Sequence, residues 1–271
     1  MSKELLSIII VNYNGAAFLE NCIQSIEKTC QGFDYEIIIV DNNSSDNSIE
    51  IIENQFDNIS LIKSETNLGF AAGNNIGVKN SKGDYILLLN NDTVLLDNIY
   101  PAIELLKNNQ NIGVVGIKML DDKKMYRQSA GFFPSPMKLL KLKSMLLNTH
   151  GFLDGNFDKS NSYFDVDWIE ASFLLTSRNL YDEVNGMDET FFMYAEDIDF
   201  CKRLISLGKK TVYLPELSYI HFGGFNSKRN ELLKKGLIHF VKIHFFRISK
   251  LIGLLNIEIN FFVKKYVKKS V

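Results

Sequence analysis

The chain has 271 residues, 46% hydrophobic and 23% charged, with 17 Gly and 4 Pro. At about 100–200 residues per domain this gives one large or two small globular domains, and the composition excludes disordered and fibrous classes. The net charge of −2 hides an asymmetry, because from Lys228 to Val271 eleven Lys and Arg face only Glu231 and Glu258, a net +9, which leaves −11 on residues 1–227.

Leu5–Val11 is an unbroken apolar run rich in β-branched residues and closed by the polar Asn12–Gly15, the pattern of a strand buried on both faces. Glu36–Val40 closes in the same way at Asp41, and Tyr85–Leu89 at Asn90. Helical stretches separate them: Ala16–Lys28, Asn47–Gln55 with Asp46 as its N-cap, and Ala71–Asn80. Strand and helix therefore alternate through the first ~115 residues, which predicts a mostly parallel central sheet flanked by helices, an α/β fold. Polar residues crowd each strand's C-terminal end, where open α/β sheets bind ligands. Residues 118–165, with Pro134, Pro136 and Gly155 among basic and aromatic residues, read as loops and short helices. A strand is expected over Val166–Thr176, a helix over Ala195–Leu207, and short strands over Thr211–Leu214 and Ser218–Phe222.

At 100° per residue, Leu233, Leu237, Phe240, His244, Ile248, Leu251 and Leu255 fall on one stripe, with Lys234, Lys235, Lys242 and Lys250 mostly opposite. The tail 228–271 is thus read as a basic amphipathic helix that lies on a membrane surface, packs on the catalytic domain or forms a dimer seam. It has no uncharged apolar stretch of ~18 residues of the kind that spans a bilayer. Cys22, Cys30 and Cys201 make no CxxC pair, so neither a disulfide framework nor a zinc cluster is indicated, and a reducing cytoplasm is the expected location.

Five segments carry chemistry. Asp41, in IIIVDNNSSDNS, is a strand-end carboxylate that can accept the imide N–H of a uracil or thymine ring, or simply shape a turn. NLGFAAGNNIG, residues 67–77, spaces Gly69, Gly73 and Gly77 by four around Asn67, Asn74 and Asn75; it allows either a ligand's close approach near a helix start or close helix packing, and matches neither a dinucleotide fingerprint nor a phosphate loop. LLLNNDT, residues 87–93, ends a strand in oxygen ligands that suit Mg2+ or Mn2+ on a diphosphate. In FFMYAEDIDFCKRL, residues 191–204, Asp199 and Arg203 are spaced for an ion pair, while Glu196 and Asp197 lack a partner and offer a general base. His221 stands just before two glycines at a strand end.

In this order, SIIIVNYNG, DNNSSDNS, NLGFAAGNNIG, LLLNNDT, NGMDETFFMYAEDIDFCKR and His221 resemble the family 2 glycosyltransferases, in particular their rhamnosyltransferase-like branch, over residues 5–227. The resemblance implies a GT-A fold in residues 1–227, with a nucleotide-binding half 1–116 and an acceptor half 117–227, and an inverting, metal-dependent hexosyl transfer. It implies that Asn12, Tyr13 and Asn14 line the nucleotide crevice, that Asp41 meets the base, and that Asn67, Gly69 and Asn74 lie near ribose and diphosphate. Asn90, Asn91 and Asp92 stand at the family's Asp-x-Asp motif, with Asp92 as main ligand of Mn2+ or Mg2+ and His221 as a further one. Asp197 matches the base, Glu196 would orient it, and Trp168 matches an acceptor-side wall. The implied donor is a dTDP- or UDP-sugar carrying rhamnose or another hexose, and the implied acceptor a glycan or lipid-linked sugar of the cell surface; no nucleic-acid partner is expected. The alternative is a nucleotide-sugar-binding protein without transfer activity, because Asn replaces the first acid of the metal motif. A nucleotidyltransferase would need a basic triphosphate loop, and Leu6–Gly15 contains no Lys or Arg.

Overall fold

A computed structural model describes residues 4–223 and 229–266. The chain runs β1 (Leu5–Asn12), α1 (Ala16–Thr29), β2 (Asp34–Asp41), α2 (Ser48–Gln55), β3 (Ile59–Lys63), α3 (Phe70–Lys79), β4 (Tyr85–Asn90), β5 (Thr93–Leu95), α4 (Tyr100–Asn108) and β6 (Ile112–Leu120). It continues through β7 (Tyr126–Arg127), β8 (Ala130–Gly131), α5 (Pro136–Leu140), a 3-10 turn at Leu142–Met145, β9 (Phe164–Val166), β10 (Trp168–Ile169) and β11 (Phe173–Ser177). Then follow α6 (Arg178–Glu183), α7 (Glu196–Ser206), β12 (Lys210–His221), α8 (Arg229–His244) and α9 (Arg247–Tyr266).

The main sheet has the order β3-β2-β1-β4-β11-β6-β12-β5, with β7 and β9 on its margins. Strands β3, β2, β1 and β4 are mutually parallel, as are β6 and β12, while β11 runs antiparallel between β4 and β6. Successive side chains of a strand point to opposite faces, and this alternation divides the core. Ile8, Ile10, Ile37, Ile39, Leu87 and Leu89 pack on α1 and α4, whereas Ile9, Ile38, Val40, Ile86 and Leu88 pack on Ala71, Val78, Phe200 and Leu204 across the other face. Both faces are covered, which is why these strands read as continuous apolar runs.

The register places strand ends side by side. Asn12 pairs with Asp41 and Val11 with Asn90, so β1, β2 and β4 release their polar residues at one level. His221, closing β12, pairs with Thr93 of β5 and joins the same edge.

Three sequence expectations are corrected. The strand expected over Val166–Thr176 is broken into β9, β10 and β11, because Trp168–Ile169 pairs with β8 in a separate two-stranded sheet before the chain enters the main one. The two short strands expected over 211–222 are one strand, β12, with a register shift between Leu214 and Ser218. The tail is an antiparallel pair of helices rather than one helix: the chain turns at Phe245–Phe246, with Arg247 in the left-handed region (φ 46°), and Lys234 pairs with Glu258 at 2.7 Å across the hairpin. Consequently the expected stripe divides. Leu237 and Phe240 are buried against Phe191, Ala195 and Ile198, whereas Ile248, Leu251 and Leu255 face outward. Lys228, Lys268 and Lys269 lie outside the described residues. The boundary expected at 116/117 falls inside β6.

Candidate active site

The candidate site lies along the C-terminal ends of β1, β2 and β4 and the end of β12. At its floor is a hydrogen-bonded scaffold. Asn12, fully buried, donates to Asp41 (2.8 Å) and accepts from Asn91 (2.7 Å), and Asp41, also fully buried, accepts from the backbone N–H (2.9 Å) and hydroxyl (2.6 Å) of Ser44. Asn12 therefore ties the β1, β2 and β4 termini together, and Asp41 closes the turn at Ser44. Asn14, with φ 54°, accepts from the Ser45 backbone, which leaves Tyr13, 53% exposed, as the free side chain of this segment.

The glycines of residues 67–77 serve packing. A Cβ on Gly69 (φ 89°) would stand 2.4 Å from the Phe192 carbonyl oxygen, while Gly73 and Gly77 bring α3 against Val11 and Ile9. The Gly69 backbone thus abuts the 188–195 segment. Asn67 accepts from the Gly69 N–H (3.0 Å), and Asn74 donates to Phe70 of its own helix. The buried Oδ1 atoms of Asn42 and Asn74 have no protein partner, and an oxygen left unpaired in this way marks where a donor on a ligand or water can bind.

At the end of β4, Asp92 lies 3.2 Å from Nε2 of His221, and Asn90 lies 3.3 Å from the same nitrogen. Sequence positions 90, 92 and 221 therefore meet. Burial works against a charged His221, but the Asp92 carboxylate outweighs it and raises the imidazole above its ordinary value. Among the described residues no group of three or more His, Cys, Asp or Glu forms a standing metal cage. One carboxylate and one imidazole fit instead a cation carried largely by a diphosphate and water, as Mg2+ and Mn2+ are in such sites.

A residue not singled out from the sequence completes the cluster. Glu170 emerges where the broken strand crosses between sheets, one-third exposed, with Oε1 3.5 Å from Nδ1 of His221. Nothing in the local sequence distinguishes it, because its position depends on the break between β10 and β11. Asp197 sits in the first turn of α7 and accepts from the backbone N–H of Ile198 (2.8 Å) and Ala171 (3.3 Å). Desolvation, followed by the Glu170 charge, pushes its carboxyl up to about 7. Glu196 beside it is buried, one of its oxygens lacks a partner, and burial together with the neighbouring Asp197 charge holds it well above the usual carboxylate range.

The turn that delivers these two acids is strained. Tyr194 (φ 71°) and Ala195 (φ 73°) are consecutive non-glycine residues in the left-handed region, at a cost of roughly 1–3 kcal/mol each. Helix α8 clamps this turn, because a Cβ on Gly236 would stand 2.1 Å from the Tyr194 carbonyl oxygen. Asp199, one turn into α7, is buried between Arg203 and His244 of α8, both at 2.7 Å, so the expected Asp199–Arg203 pair is also an anchor for α8. Trp168 is half-buried: its indole N–H donates to the Phe132 carbonyl (2.9 Å) and its ring covers Gly131.

A family model of glycosyl transferase family 2 matches residues 7–195. The chain belongs to glycosyltransferase family 2. It is 27% identical over 235 residues to rhamnosyltransferase WbbL of Escherichia coli (83% of this chain, 86% of that one). It is 27% identical over 202 residues to the low-salt glycan biosynthesis hexosyltransferase Agl10 of Haloferax volcanii (73% of this chain), and spans 61% of that protein's length. Over 252 residues it is 22% identical to N-acetylglucosaminyl-diphospho-decaprenol L-rhamnosyltransferase of Mycobacterium tuberculosis (84% and 79%). The mannosyltransferase PcManGT of Pyrobaculum calidifontis, solved with GDP-Man and Mn2+, superposes with a TM-score of 0.62 at 14% identity, over 96% of this chain and 70% of that one. The fold is thus that of the GT-A glycosyltransferases, and this member of the family is an enzyme of glycosyl transfer.

Proposed function

We propose that this enzyme transfers rhamnose or another hexose, with inversion, from a dTDP- or UDP-sugar to a glycan or lipid-linked acceptor in cell-surface polysaccharide synthesis, at the cytoplasmic face of the membrane. The observation that carries the reading is Asp197, a carboxylate poised near neutrality in a crevice that also holds the Asp92–His221 pair. A base is most effective when its pKa lies near the working pH. Asp197 takes the proton of the acceptor hydroxyl as its oxygen bonds to the anomeric carbon and the bond from that carbon to the diphosphate oxygen breaks, releasing the nucleoside diphosphate. Attack from the side opposite the leaving group inverts the centre.

Asp92 and His221 would hold the divalent cation, which offsets the charge developing on the departing diphosphate. Tyr13, exposed just beyond β1, offers a ring face to the base. Glu196, buried next to Asp197 with one oxygen unpartnered, is placed to orient the base or an acceptor hydroxyl. The relatives named for rhamnosyl and hexosyl transfer support the donor class, and the relative named for a decaprenol-linked substrate supports the acceptor class. Incubation of the purified chain with Mn2+, a panel of dTDP-, UDP- and GDP-sugars and a polyprenyl-diphospho-sugar acceptor, with mass detection of product, tests the reading. Product from a dTDP- or UDP-hexose is expected; turnover with GDP-sugars alone would overturn the donor assignment.

A further inference from the structure

Helix α9 presents two faces of opposite character. Inward, Gly253, Ile257 and Phe261 pack on α8 and α5, and Asn256 and Asn260 donate to the carbonyls of Pro136 (2.8 Å) and Leu140 (2.6 Å). Outward, Ile248, Leu251, Ile252, Leu255, Ile259 and Phe262 form one continuous stripe, with Ile248 71%, Leu251 68%, Leu255 60% and Phe262 61% exposed. At 100° per residue the stripe spans about 100° and no charged residue falls within it. Single exposed apolar residues are ordinary, whereas a row of this length on one helix marks an interaction surface.

The charges beside the stripe identify its partner. Arg247 and Lys265 flank it on α9, and Lys141 and Lys143 stand exposed on the segment following α5, against which α9 packs. The acid on the outer side of α9, Glu258, is already paired with Lys234. A second copy docking on this face about a two-fold axis would bring cationic rims together, whereas an anionic surface complements them. No described helix is long and apolar enough to cross a membrane, so α9 lies in the plane of the interface.

We propose that the outer face of α9, with the basic rim of Arg247, Lys265, Lys141 and Lys143, is the surface by which this protein inserts shallowly into an anionic lipid bilayer. The surface differs from the stripe read from the sequence, whose first half is spent on packing against the 191–198 segment. It deepens the proposed function, on which it rests for the lipid-linked acceptor: α8 clamps the turn that carries Asp197 and pairs with α9, so the bilayer and the base are joined through one helical hairpin.

The test is flotation of the full chain with phosphatidylcholine vesicles, with and without phosphatidylglycerol, for wild type, Leu251→Glu/Leu255→Glu and Lys141→Glu/Lys143→Glu. Wild type is expected to float with phosphatidylglycerol vesicles only. Removing two leucines from the acyl boundary should lower the partition coefficient at least ~100-fold, and reversing two rim charges should lower it at least ~10-fold on anionic vesicles. Both pairs are exposed, and an unchanged melting temperature verifies the fold. Equal flotation of all three proteins would overturn the proposal, as would a wild type that stays at the bottom and sediments as a dimer dispersed by the leucine variant. Transfer to a soluble acceptor analogue, measured on the same samples, separates the two claims. Loss of flotation with transfer intact concerns the surface alone; flotation without transfer from any donor would leave the surface standing and sink the proposed function.

Discussion

Glu170→Gln probes the electrostatics of the base. Asp197 is raised from an ordinary 3.8 to about 7, which is roughly 4 kcal/mol against its ionisation. Desolvation supplies the largest part, and the Glu170 charge follows. Glu170 is one-third exposed, so water screens its effect, and neutralising it should lower the Asp197 midpoint by about half to one pH unit. The sign follows from like charge: removing a negative neighbour favours the ionised carboxylate. In wild type, kcat/KM should rise with pH to a plateau above about 7 and fall nearly tenfold by about pH 6. Initial rates against pH, with a soluble acceptor at saturating Mn2+, should show the acidic limb of Glu170→Gln displaced to lower pH, with the variant faster relative to its own plateau at pH 6. An unmoved limb, or one displaced upward, would refute the assignment of the limb to Asp197 under the influence of Glu170.

Other consequences follow from the same geometry. A chelator should abolish transfer and Mn2+ or Mg2+ should restore it, and Asp92→Ala should weaken nucleoside-diphosphate binding in titration calorimetry only when the cation is present; equal weakening without cation would argue against Asp92 as a ligand. Gly236→Ala forces a methyl group against the Tyr194 carbonyl and should cost about 1–3 kcal/mol in urea denaturation, with a fall in kcat larger than any rise in KM, because the turn carrying Asp197 moves. His244→Ala leaves the buried Asp199 with Arg203 as its remaining charge partner, and thermal unfolding should show a loss of about 1–3 kcal/mol at pH 7.

Much of the layout is legible in the sequence because buried parallel strands have a local signature. Ile8–Ile10, Ile37–Val40 and Ile86–Leu89 are apolar on both faces, and each ends in a polar residue at the level where the register brings Asn12, Asp41 and Asn90 together. The meeting of Asp92 with His221 follows from the family's motif order, although 129 positions separate them in the chain. What the sequence does not reveal depends on tertiary context. Gly69, Gly73 and Gly77 have the spacing of a ligand loop, but their missing side chains make room for Phe192, Val11 and Ile9. Glu170 acquires its place from the break between β10 and β11, and apolar residues on either side of that break read as one strand. In the tail, a periodicity of 100° per residue assumes an unbroken helix, and the turn before Arg247 rotates the later residues onto a different face.

The central claim is that Asp197 removes the acceptor proton, and Asp197→Asn tests it most directly. The substitution keeps the shape and removes the basic oxygen. Donor binding in calorimetry should stay within about twofold of wild type, while kcat, measured by product mass with the donor identified in the panel, should fall by ~10²–10⁴-fold and lose its acidic limb. A variant that turns over at near the wild-type rate with the same pH dependence would contradict the account.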